Sequence, residues 1–258
     1  MSWTLYTFAM SHYSEKIRWA LDHAQLPYRE VRMTPVFHIA PALLMGKRGQ
    51  TTLPILQTPA ATIQDSSRIL RWLEQLPRGL ASIPPKLSQD VHAAEKLFDA
   101  IGKDVARFLY ASSFGSGDEH IIKLWTDHAS PLQAAVIRTA YPAIRWAFKR
   151  KLKINEASAA RARLRITETV DWLEAQLADG RTYLVGGQFT AADITAASLL
   201  APIACPAQHP VYSDAAYQRI MVGAIQPWRD RRALQWVRAM YDQHRGELQP
   251  ATPVQRAA

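Results

Sequence analysis

The chain has 258 residues, of which 48% are hydrophobic and 21% are charged. These proportions are ordinary for a folded protein and exclude disordered, collagen-like and coiled-coil chains, and the length suits one large domain or two moderate ones. The formal net charge of +9 at pH 7 raises the question of an anionic partner, for which nucleic acid, acidic lipid and a small anionic substrate all qualify.

The single cysteine, Cys205, excludes an intrachain disulfide, a CxxC redox centre and a cysteine-rich zinc site. We therefore expect a reducing, cytoplasmic location. The N-terminus lacks the pattern of a signal peptide, and the most apolar window, 194–207, is too short and too rich in proline to cross a bilayer. The histidines show no metal-ligand spacing, so we predict neither a membrane anchor nor a metal site.

The first 77 residues have the pattern of a small α/β domain. Residues 3–8 are β-branched and aromatic and predict a buried strand. Apolar residues at helical spacing follow Ser11, and Pro27 ends that helix before a second strand at 28–33. The resulting βαβ unit favours parallel strands joined by a right-handed crossover.

The rest of this domain is predicted as a loop, two strands and a helix. Residues 35–49 lack a clear pattern and are expected to be irregular. A strand over 52–56 includes Pro54, which must lie at a strand start or edge, and 62–64 predicts the last strand. Asp65-Ser66 then offers an N-cap to a helix with one apolar face.

Residues 78–86 change to proline, glycine, serine and alanine, which indicates a linker between domains. Beyond it, helical periodicity predicts an all-α domain over 87–248, with helices at 91–110, 131–153, 157–177, 192–202 and 233–244. The tail 249–258 has no core pattern and is expected to be disordered.

Ser11 lies where the first strand passes into the first helix. Unpaired backbone N–H groups and the positive end of the helix dipole favour an anion there, and a hydroxyl at that position can donate to a thiolate and stabilise it. The alternative is that Ser11 is only an N-cap.

Two further features could bind a peptide-like ligand. A proline that opens a strand after a βαβ unit is often cis, which would expose the backbone of Leu53 for pairing with an extended ligand. Asp65 and Ser66 at a helix start could hold an amino-acid zwitterion, with the carboxylate of Asp65 on the ammonium; simple capping is the alternative.

Four segments in this order resemble the glutathione S-transferase superfamily, and together they span nearly the whole chain. They are 5–21 with its Ser-His-Tyr-Ser-Glu-Lys, the Leu53-Pro54 step, Asp65-Ser66-Ser67-Arg68-Ile69, and Tyr183 to Ile194. The resemblance implies a thioredoxin-like N-terminal domain that binds glutathione, followed by an all-helical domain that supplies the pocket for an electrophile. It also implies a homodimer.

The resemblance also assigns roles to single residues. Ser11 matches the family's activating serine or redox cysteine, so the chain is similar to a serine-type, bacterial-like member. Leu53 and Pro54 match the positions that pair with the cysteinyl unit of glutathione, and Asp65 and Ser66 match those that hold its γ-glutamyl end. The stretch 190–193 matches a structural N-capping box.

Other positions leave choices open. Lys47, Arg48 and Gln50 are candidates for the glycyl carboxylate of glutathione. Tyr6, Tyr13 and Ser14 are rival hydroxyl donors. Ser14 stands where some relatives have cysteine, which leaves Ser-x-x-Ser where thioredoxins have Cys-x-x-Cys and rules out disulfide exchange at this site. Tyr13, Phe108 and Tyr110 are candidates for the electrophile pocket, to which Tyr141 and Trp146 could add an apolar wall.

The stretch 145–165 holds eight lysines or arginines against one glutamate. Its aromatic residues, Trp146 and Phe148, stand only at its start and are not interleaved along it as in a nucleic-acid platform, so a solvated face is expected ahead of attraction of anionic substrates, and nucleic acid comes last. The leading hypothesis is a cytoplasmic glutathione transferase that acts in detoxification. The alternatives are a non-catalytic glutathione- or ligand-binding module and a specialised glutathione-dependent lyase, dehalogenase or isomerase.

Overall fold

The structure is a computed structural model that describes residues 3–46, 49–76, 80 and 85–246. The chain folds into two compact units. The first contains the described residues up to 80 together with 118–148, and the second contains 85–117 and 149–246.

The first unit is built on a four-stranded mixed sheet formed by its described residues, in the order β2-β1-β3-β4. Strand β1 is Trp3–Thr7, β2 is Tyr28–Arg32, β3 is Ile55–Gln57 and β4 is Thr62–Gln64. β1 pairs with β2 in parallel and with β3 antiparallel, and β4 pairs antiparallel with β3. The parallel βαβ unit that the sequence predicts is confirmed.

Three helices are interleaved with these strands. Helix α1 covers His12–His23, α2 covers Ile39–Met45 and α3 covers Ser66–Glu74. Ile17, Leu21, Ile69 and Leu73 are fully buried, and α1 packs against α3. These elements form the predicted thioredoxin-like domain.

The prediction that residues 35–49 are irregular is wrong for α2. The stretch Ile39–Met45 is rich in alanine, leucine and methionine, which are strong helix formers. Pro41 lies in the first turn of this helix, where its missing N–H costs no helical hydrogen bond. A proline inside a short helical stretch therefore marks a first turn rather than a break.

Ten α-helices and one 3-10 helix, Gln226–Trp228, are described. The α-helices after α3 are α4 Pro85–Ser113, α5 Asp118–Thr126, α6 Pro131–Lys151, α7 Glu156–Gln176, α8 Ala191–Ala204, α9 Ala215–Ile225 and α10 Arg232–His244. The second unit is all-helical in its described residues, and α4 packs there against α7, α8 and α9. Helices α5 and α9 were not predicted, although Asp118 and Glu119 in the first turn of α5 and the N-cap Asp214 of α9 are start signals that the sequence offers.

The predicted domain boundaries stay a prediction. Helix α4 begins at Pro85, inside the predicted linker 78–86, and residues 118–148 group with the first unit rather than with the other helices. The predicted tail 249–258 lies outside the described residues.

Candidate functional site

One end of the sheet gathers most of the predicted site residues. Tyr6 on β1 pairs with Ile55 on β3, and Ile55 pairs with Gln64 on β4. The end of β1, which leads to Ser11, therefore lies beside the start of β3 and the end of β4. The Leu53-Pro54 step precedes β3 and Asp65-Ser66 follows β4, so the strand register brings the three predicted features to the same edge.

Ser11 is the N-cap of α1, as its extended backbone and its side chain both show. The N–H of Ser14 donates to Ser11 Oγ at 3.2 Å, and the Ser11 N–H donates to the carbonyl of Phe8 at 3.2 Å. Its side chain is half-buried, and no acceptor for its hydroxyl hydrogen is found among the described residues. Ser11 is therefore a cap whose proton remains available to a ligand.

The rival hydroxyl groups are placed differently. Tyr6 donates from its hydroxyl to Gln57 Oε1 at 3.2 Å. Ser14 is fully buried, and its Oγ accepts from the N–H of Phe8 at 3.3 Å. Tyr13 is half-buried, with its ring centroid 4.8 Å from that of His12. Of the two serines, only Ser11 is exposed to a ligand.

Asp65 is the N-cap of α3 and has a strained backbone. Its Oδ1 accepts from the N–H groups of Ser67 at 3.0 Å and Arg68 at 3.2 Å. Its φ of 92° is rare for a residue with a side chain, and strain of this kind clusters at functional sites. The side chain is exposed, whereas the adjacent Ser66 is buried.

The segment before β3 is held by a buried glutamine that sequence reasoning missed. The Leu53-Pro54 bond is cis, and the carbonyl of Pro54 accepts from the N–H of Asp65 at 3.2 Å. Gln64 Nε2 donates to the carbonyl of Thr52 at 2.8 Å and to that of Gln50 at 3.3 Å. The available signal was an amide at the end of a strand, directly before the predicted helix cap.

Of the three residues predicted as candidates to bind the glycyl carboxylate of glutathione, the structure describes one, Gln50. The Gln50 side chain is exposed close to this segment. Lys47 and Arg48 lie outside the described residues. The assignment of Lys47 and Gln50 stays a prediction.

A fully buried lysine lies beneath the first turn of α3. Lys16 on α1 donates from Nζ to Ser67 Oγ at 3.2 Å and has no exposed surface. A buried ammonium group next to a helix N-terminus adds to the positive potential there. Sequence reasoning missed Lys16, although it is four residues before Ala20 and therefore on the buried face of α1.

A buried ion cluster fixes the chain just before Ser11. Arg18 donates to Glu30 Oε1 at 2.6 Å, to Glu15 Oε2 at 3.0 Å and to the carbonyl of Phe8 at 2.8 Å. Despite its burial, the pKa of Glu30 falls to about 2 because Arg18 and Arg32 stabilise its charge and Thr7 donates to it. Because Arg18 also holds the Phe8 carbonyl, the cluster sets the position of the turn that carries Ser11.

The predicted electrophile-pocket residues fall in different units. Tyr13 belongs to the first unit, and Phe108 and Tyr110 belong to the second. Phe108 is 4% exposed and packs edge-on against Trp228 with ring centroids 5.1 Å apart, while Tyr110 stacks on Phe114 at 5.2 Å. Their role in a pocket stays a prediction.

The two residues suggested for an apolar wall both lie on α6. Tyr141 is buried and donates from its hydroxyl to Asp118 Oδ1 at 2.8 Å, whereas Trp146 is 64% exposed.

Over the described ranges, every helix is too short or too polar to cross a bilayer, and no group of three or more His, Cys, Asp or Glu side chains there could hold a metal ion.

Two family models match this chain. The N-terminal domain of glutathione S-transferase matches residues 5–80, and the C-terminal domain of glutathione S-transferase matches residues 156–239. The chain belongs to the glutathione S-transferase superfamily. The N-terminal match contains Ser11, the cis Leu53-Pro54 step and Asp65-Ser66, and the C-terminal match contains the capping box of α8. Helices α5 and α6 lie between the two matches.

Solved glutathione S-transferases share this fold over nearly their full length. One from Methylobacillus flagellatus KT with GSH bound has a TM-score of 0.62 at 14% identity, covering 94% of this chain and 95% of that one. One from Methylobacterium radiotolerans JCM 2831 in complex with glutathione sulfonate has a TM-score of 0.62 at 18% identity, covering 100% and 98%. The β-etherase LigF from Sphingobium sp. strain SYK-6 has a TM-score of 0.59 at 17% identity, covering 92% and 98%. A search among curated proteins gives no match.

Proposed function

We propose that the protein is a glutathione transferase that conjugates the glutathione thiolate to an electrophilic, largely apolar co-substrate. The observation that carries the proposal is the half-buried Ser11 hydroxyl at the N-terminus of α1, at the sheet edge that also holds Leu53-Pro54 and Asp65-Ser66. The glutathione and glutathione sulfonate bound to two structures of the same fold support this choice of ligand.

In this proposal, glutathione lies extended along the sheet edge. The backbone of Leu53 pairs with the cysteinyl unit, which Pro54 contacts. At the γ-glutamyl end, Asp65 binds the ammonium through Oδ2, because Oδ1 already accepts two backbone N–H groups. The hydroxyl and N–H of Ser66 bind the carboxylate, which gains further stabilisation from the dipole of α3 and the buried Lys16.

The chemistry needs one hydrogen-bond donor at the sulfur. The Ser11 hydroxyl donates to the thiolate, and together with the α1 N-terminus it lowers the pKa of the bound thiol. The thiolate attacks an electrophilic carbon and forms a carbon–sulfur bond. A leaving group departs with its bonding electrons, or the acceptor gains a proton if the reaction is an addition.

The remaining features of the hypothesis are proposals too. Lys47 or Gln50 binds the glycyl carboxylate, and Tyr13, Phe108 and Tyr110 contribute to the electrophile pocket. We also propose a cytoplasmic location, a role in detoxification and a homodimer.

The test measures the thiol pKa of bound glutathione from the ultraviolet absorbance of the thiolate, together with conjugation rates. Ser11→Ala should raise that pKa by about one unit and lower kcat/KM roughly 10- to 100-fold, because one donor to the developing charge is lost. Ser11→Thr, which retains the hydroxyl, should keep most of the activity.

Ser14→Ala is the matched control, because it removes a buried hydroxyl three residues away. It should leave the thiol pKa unchanged. An unaltered pKa and rate in Ser11→Ala would refute the role of Ser11. Binding of glutathione without conjugation across a broad panel of electrophiles would favour a non-catalytic module, and cleavage, dehalogenation or isomerisation in place of conjugation would favour a specialised enzyme.

A further inference from the structure

The side chain of Gln64 holds a segment that the sheet itself does not reach. Gln64 is the last residue of β4 and is 3% exposed. Its Nε2 donates to the carbonyl of Thr52 at 2.8 Å and to that of Gln50 at 3.3 Å. In the described chain the strand pairing of β3 begins at Ile55, so the sheet ladder stops short of residues 50–53. A buried side chain therefore supplies a connection that backbone pairing leaves out.

The two hydrogen bonds require an amide at this position. An amide nitrogen carries two N–H donors, and here they meet two carbonyl oxygens, which can only accept. A carboxylate of the same shape would turn a charged acceptor toward both carbonyls, and an apolar side chain would leave both without these donors. Because the group is buried, losing either bond is costly.

The opposite side of the same amide is closed by backbone atoms. Gly46, which ends α2, is so close that a Cβ there would overlap Gln64 Oε1 and lie 2.8 Å from Cδ. The same Cβ would also lie 2.8 Å from the carbonyl oxygen of Ala42. The Gln64 amide is therefore fixed between the end of α2 and the segment that precedes β3.

Each of the two hydrogen bonds fixes one contact that the proposed function assigns to glutathione. The Thr52 carbonyl is part of the peptide unit that leads into Leu53, whose backbone pairs with the cysteinyl unit. The Gln50 carbonyl belongs to a candidate for binding the glycyl carboxylate. The γ-glutamyl end binds at the start of α3, which these two bonds do not hold.

We propose that Gln64 is a positioning residue, which holds residues 50–53 where they recognise the cysteinyl-glycyl half of glutathione. This inference rests on the proposed function and adds to it the origin of a preference for the tripeptide over γ-glutamylcysteine, which lacks the glycine. Ser11 lies at the start of α1, outside this set of hydrogen bonds. Gln64 therefore governs the affinity for the ligand and not the stabilisation of its thiolate.

The first experiment measures by calorimetry how tightly the full chain binds S-methylglutathione and S-methyl-γ-glutamylcysteine, which have no thiol to ionise. Gln64→Met removes both donors and keeps a similar length. It should weaken S-methylglutathione about tenfold and the shorter ligand only about threefold, because the shorter ligand makes no glycyl contact. Gln64→Glu keeps the shape but reverses the polarity, so it should weaken S-methylglutathione more, by about thirtyfold.

Gln57→Met is the matched control. Gln57 is also an amide at the end of a strand, and its Oε1 accepts from the Tyr6 hydroxyl at 3.2 Å. It pairs with Thr62, at the other end of the β3–β4 hairpin from Gln64. This substitution should leave both affinities unchanged. Circular dichroism and unfolding in urea show that each variant is folded under the conditions of the binding measurement.

The second experiment separates positioning from catalysis. In conjugation assays, Gln64→Met should raise the KM for glutathione about tenfold and leave kcat at saturation nearly unchanged. The thiol pKa of bound glutathione should stay at its wild-type value. A fall in kcat together with a raised thiol pKa would place Gln64 among the residues that stabilise the thiolate and would overturn the proposal.

Failure of this inference and failure of the proposed function give different results. If the wild type binds neither S-methyl ligand, both are wrong. If the wild type binds S-methylglutathione and Gln64→Met or Gln64→Glu binds it equally well, only the role of Gln64 is wrong. The same holds if Gln64→Met weakens both ligands by the same factor, which would indicate a general distortion. Calorimetry needs no turnover, so it decides the role of Gln64 even if the chain conjugates no electrophile.

Discussion

The helices α1 and α8 are each capped at the N-terminus by a hydroxyl group, and the two caps differ. At α8, Thr190 is buried, its hydroxyl donates to Asp193 Oδ2 at 2.9 Å, and its N–H donates to the same oxygen at 2.8 Å. At α1, the Ser11 hydroxyl is half-buried and accepts one backbone N–H. At α8 the capping hydroxyl donates to a carboxylate of its own helix, whereas at α1 the carboxylate of the first turn, Glu15, pairs with Arg18. Under the proposed function, the accessibility of the cap distinguishes the structural N-terminus of α8 from the ligand-binding N-terminus of α1.

The largest expected effect is on stability, at the buried terminus. Asp193→Ala leaves the N–H groups of Leu184 and Thr190 and the Thr190 hydroxyl without their acceptor. Because each buried donor without a partner costs about 1–3 kcal/mol, the free energy of unfolding in urea should fall by about 3 kcal/mol or more. Glutathione affinity of the folded fraction should not change, and a parallel loss of affinity at full folding would contradict the separation of the two termini.

The second effect is a pH dependence of stability. Burial raises the pKa of Asp193 to about 6 although three groups donate to it. An unfolded aspartate has a pKa of about 3.9, so the folded state binds the proton of the Asp193 carboxyl group more tightly than the unfolded state does. The contribution of this proton to the free energy of unfolding is therefore present below pH 4 and lost as the pH rises through 6.

Chemical unfolding of the wild type and of Asp193→Asn at several pH values measures the pH-dependent contribution of Asp193 to stability. The difference between their unfolding free energies should change by roughly 2 kcal/mol between pH 4 and pH 7, since a pKa unit is worth about 1.4 kcal/mol. A difference that stays constant over this range would show that the carboxyl group has an ordinary pKa.

The third prediction compares the loss of each capping hydroxyl group in turn. Thr190→Ala should lower the unfolding free energy by about 1–2 kcal/mol and leave the thiol pKa of bound glutathione unaltered. Ser11→Ala should cost about 1 kcal/mol or less, because its cap is partly solvated, while it changes the thiol pKa. The unfolding free energy and the thiol pKa of bound glutathione are measured in both variants. If both variants lower the unfolding free energy and neither changes the thiol pKa, Ser11 is only a cap.

The smallest effect concerns the ammonium group under α3. Lys16→Met keeps an unbranched side chain only one atom shorter and removes its charge, so glutathione should bind about fivefold more weakly by calorimetry. Ser67→Ala, which keeps the charge and removes one hydrogen-bond partner of Lys16, is the control and should have a smaller effect. Unchanged affinity in Lys16→Met would limit Lys16 to a packing role.

Local patterns were enough to predict much of the first unit. The βαβ unit follows from the spacing of its apolar residues and from Pro27, which ends the first helix. The caps at Ser11 and Asp65 follow from the residue types that cap helices, because all these signals act within a few residues. The capping box at 190–193 came from the resemblance to the family and is confirmed. Helix α2 was missed because it is only seven residues long, which is too short to show a clear helical period.

Other features depend on contacts that are distant in sequence. The pairing of Tyr6 with Ile55 brings Ser11 and Pro54 to one edge, and no local pattern contains that register. Arg18 and Glu30 resemble surface charges in the sequence, yet they are buried together. The grouping of 118–148 with the first unit likewise arises from contacts such as Thr34 Oγ1 to Gln133 Oε1 at 3.1 Å.

The lone cysteine has a practical consequence for studying this molecule. Cys205 ends α8 in a left-handed conformation, and burial raises the pKa of its thiol to about 11. Only about one molecule in 10,000 then carries the thiolate at pH 7, and the thiolate is the form that reacts with maleimides and disulfides. Spectroscopic probes can therefore be attached to introduced surface cysteines in the otherwise native chain, with Cys205 left in place.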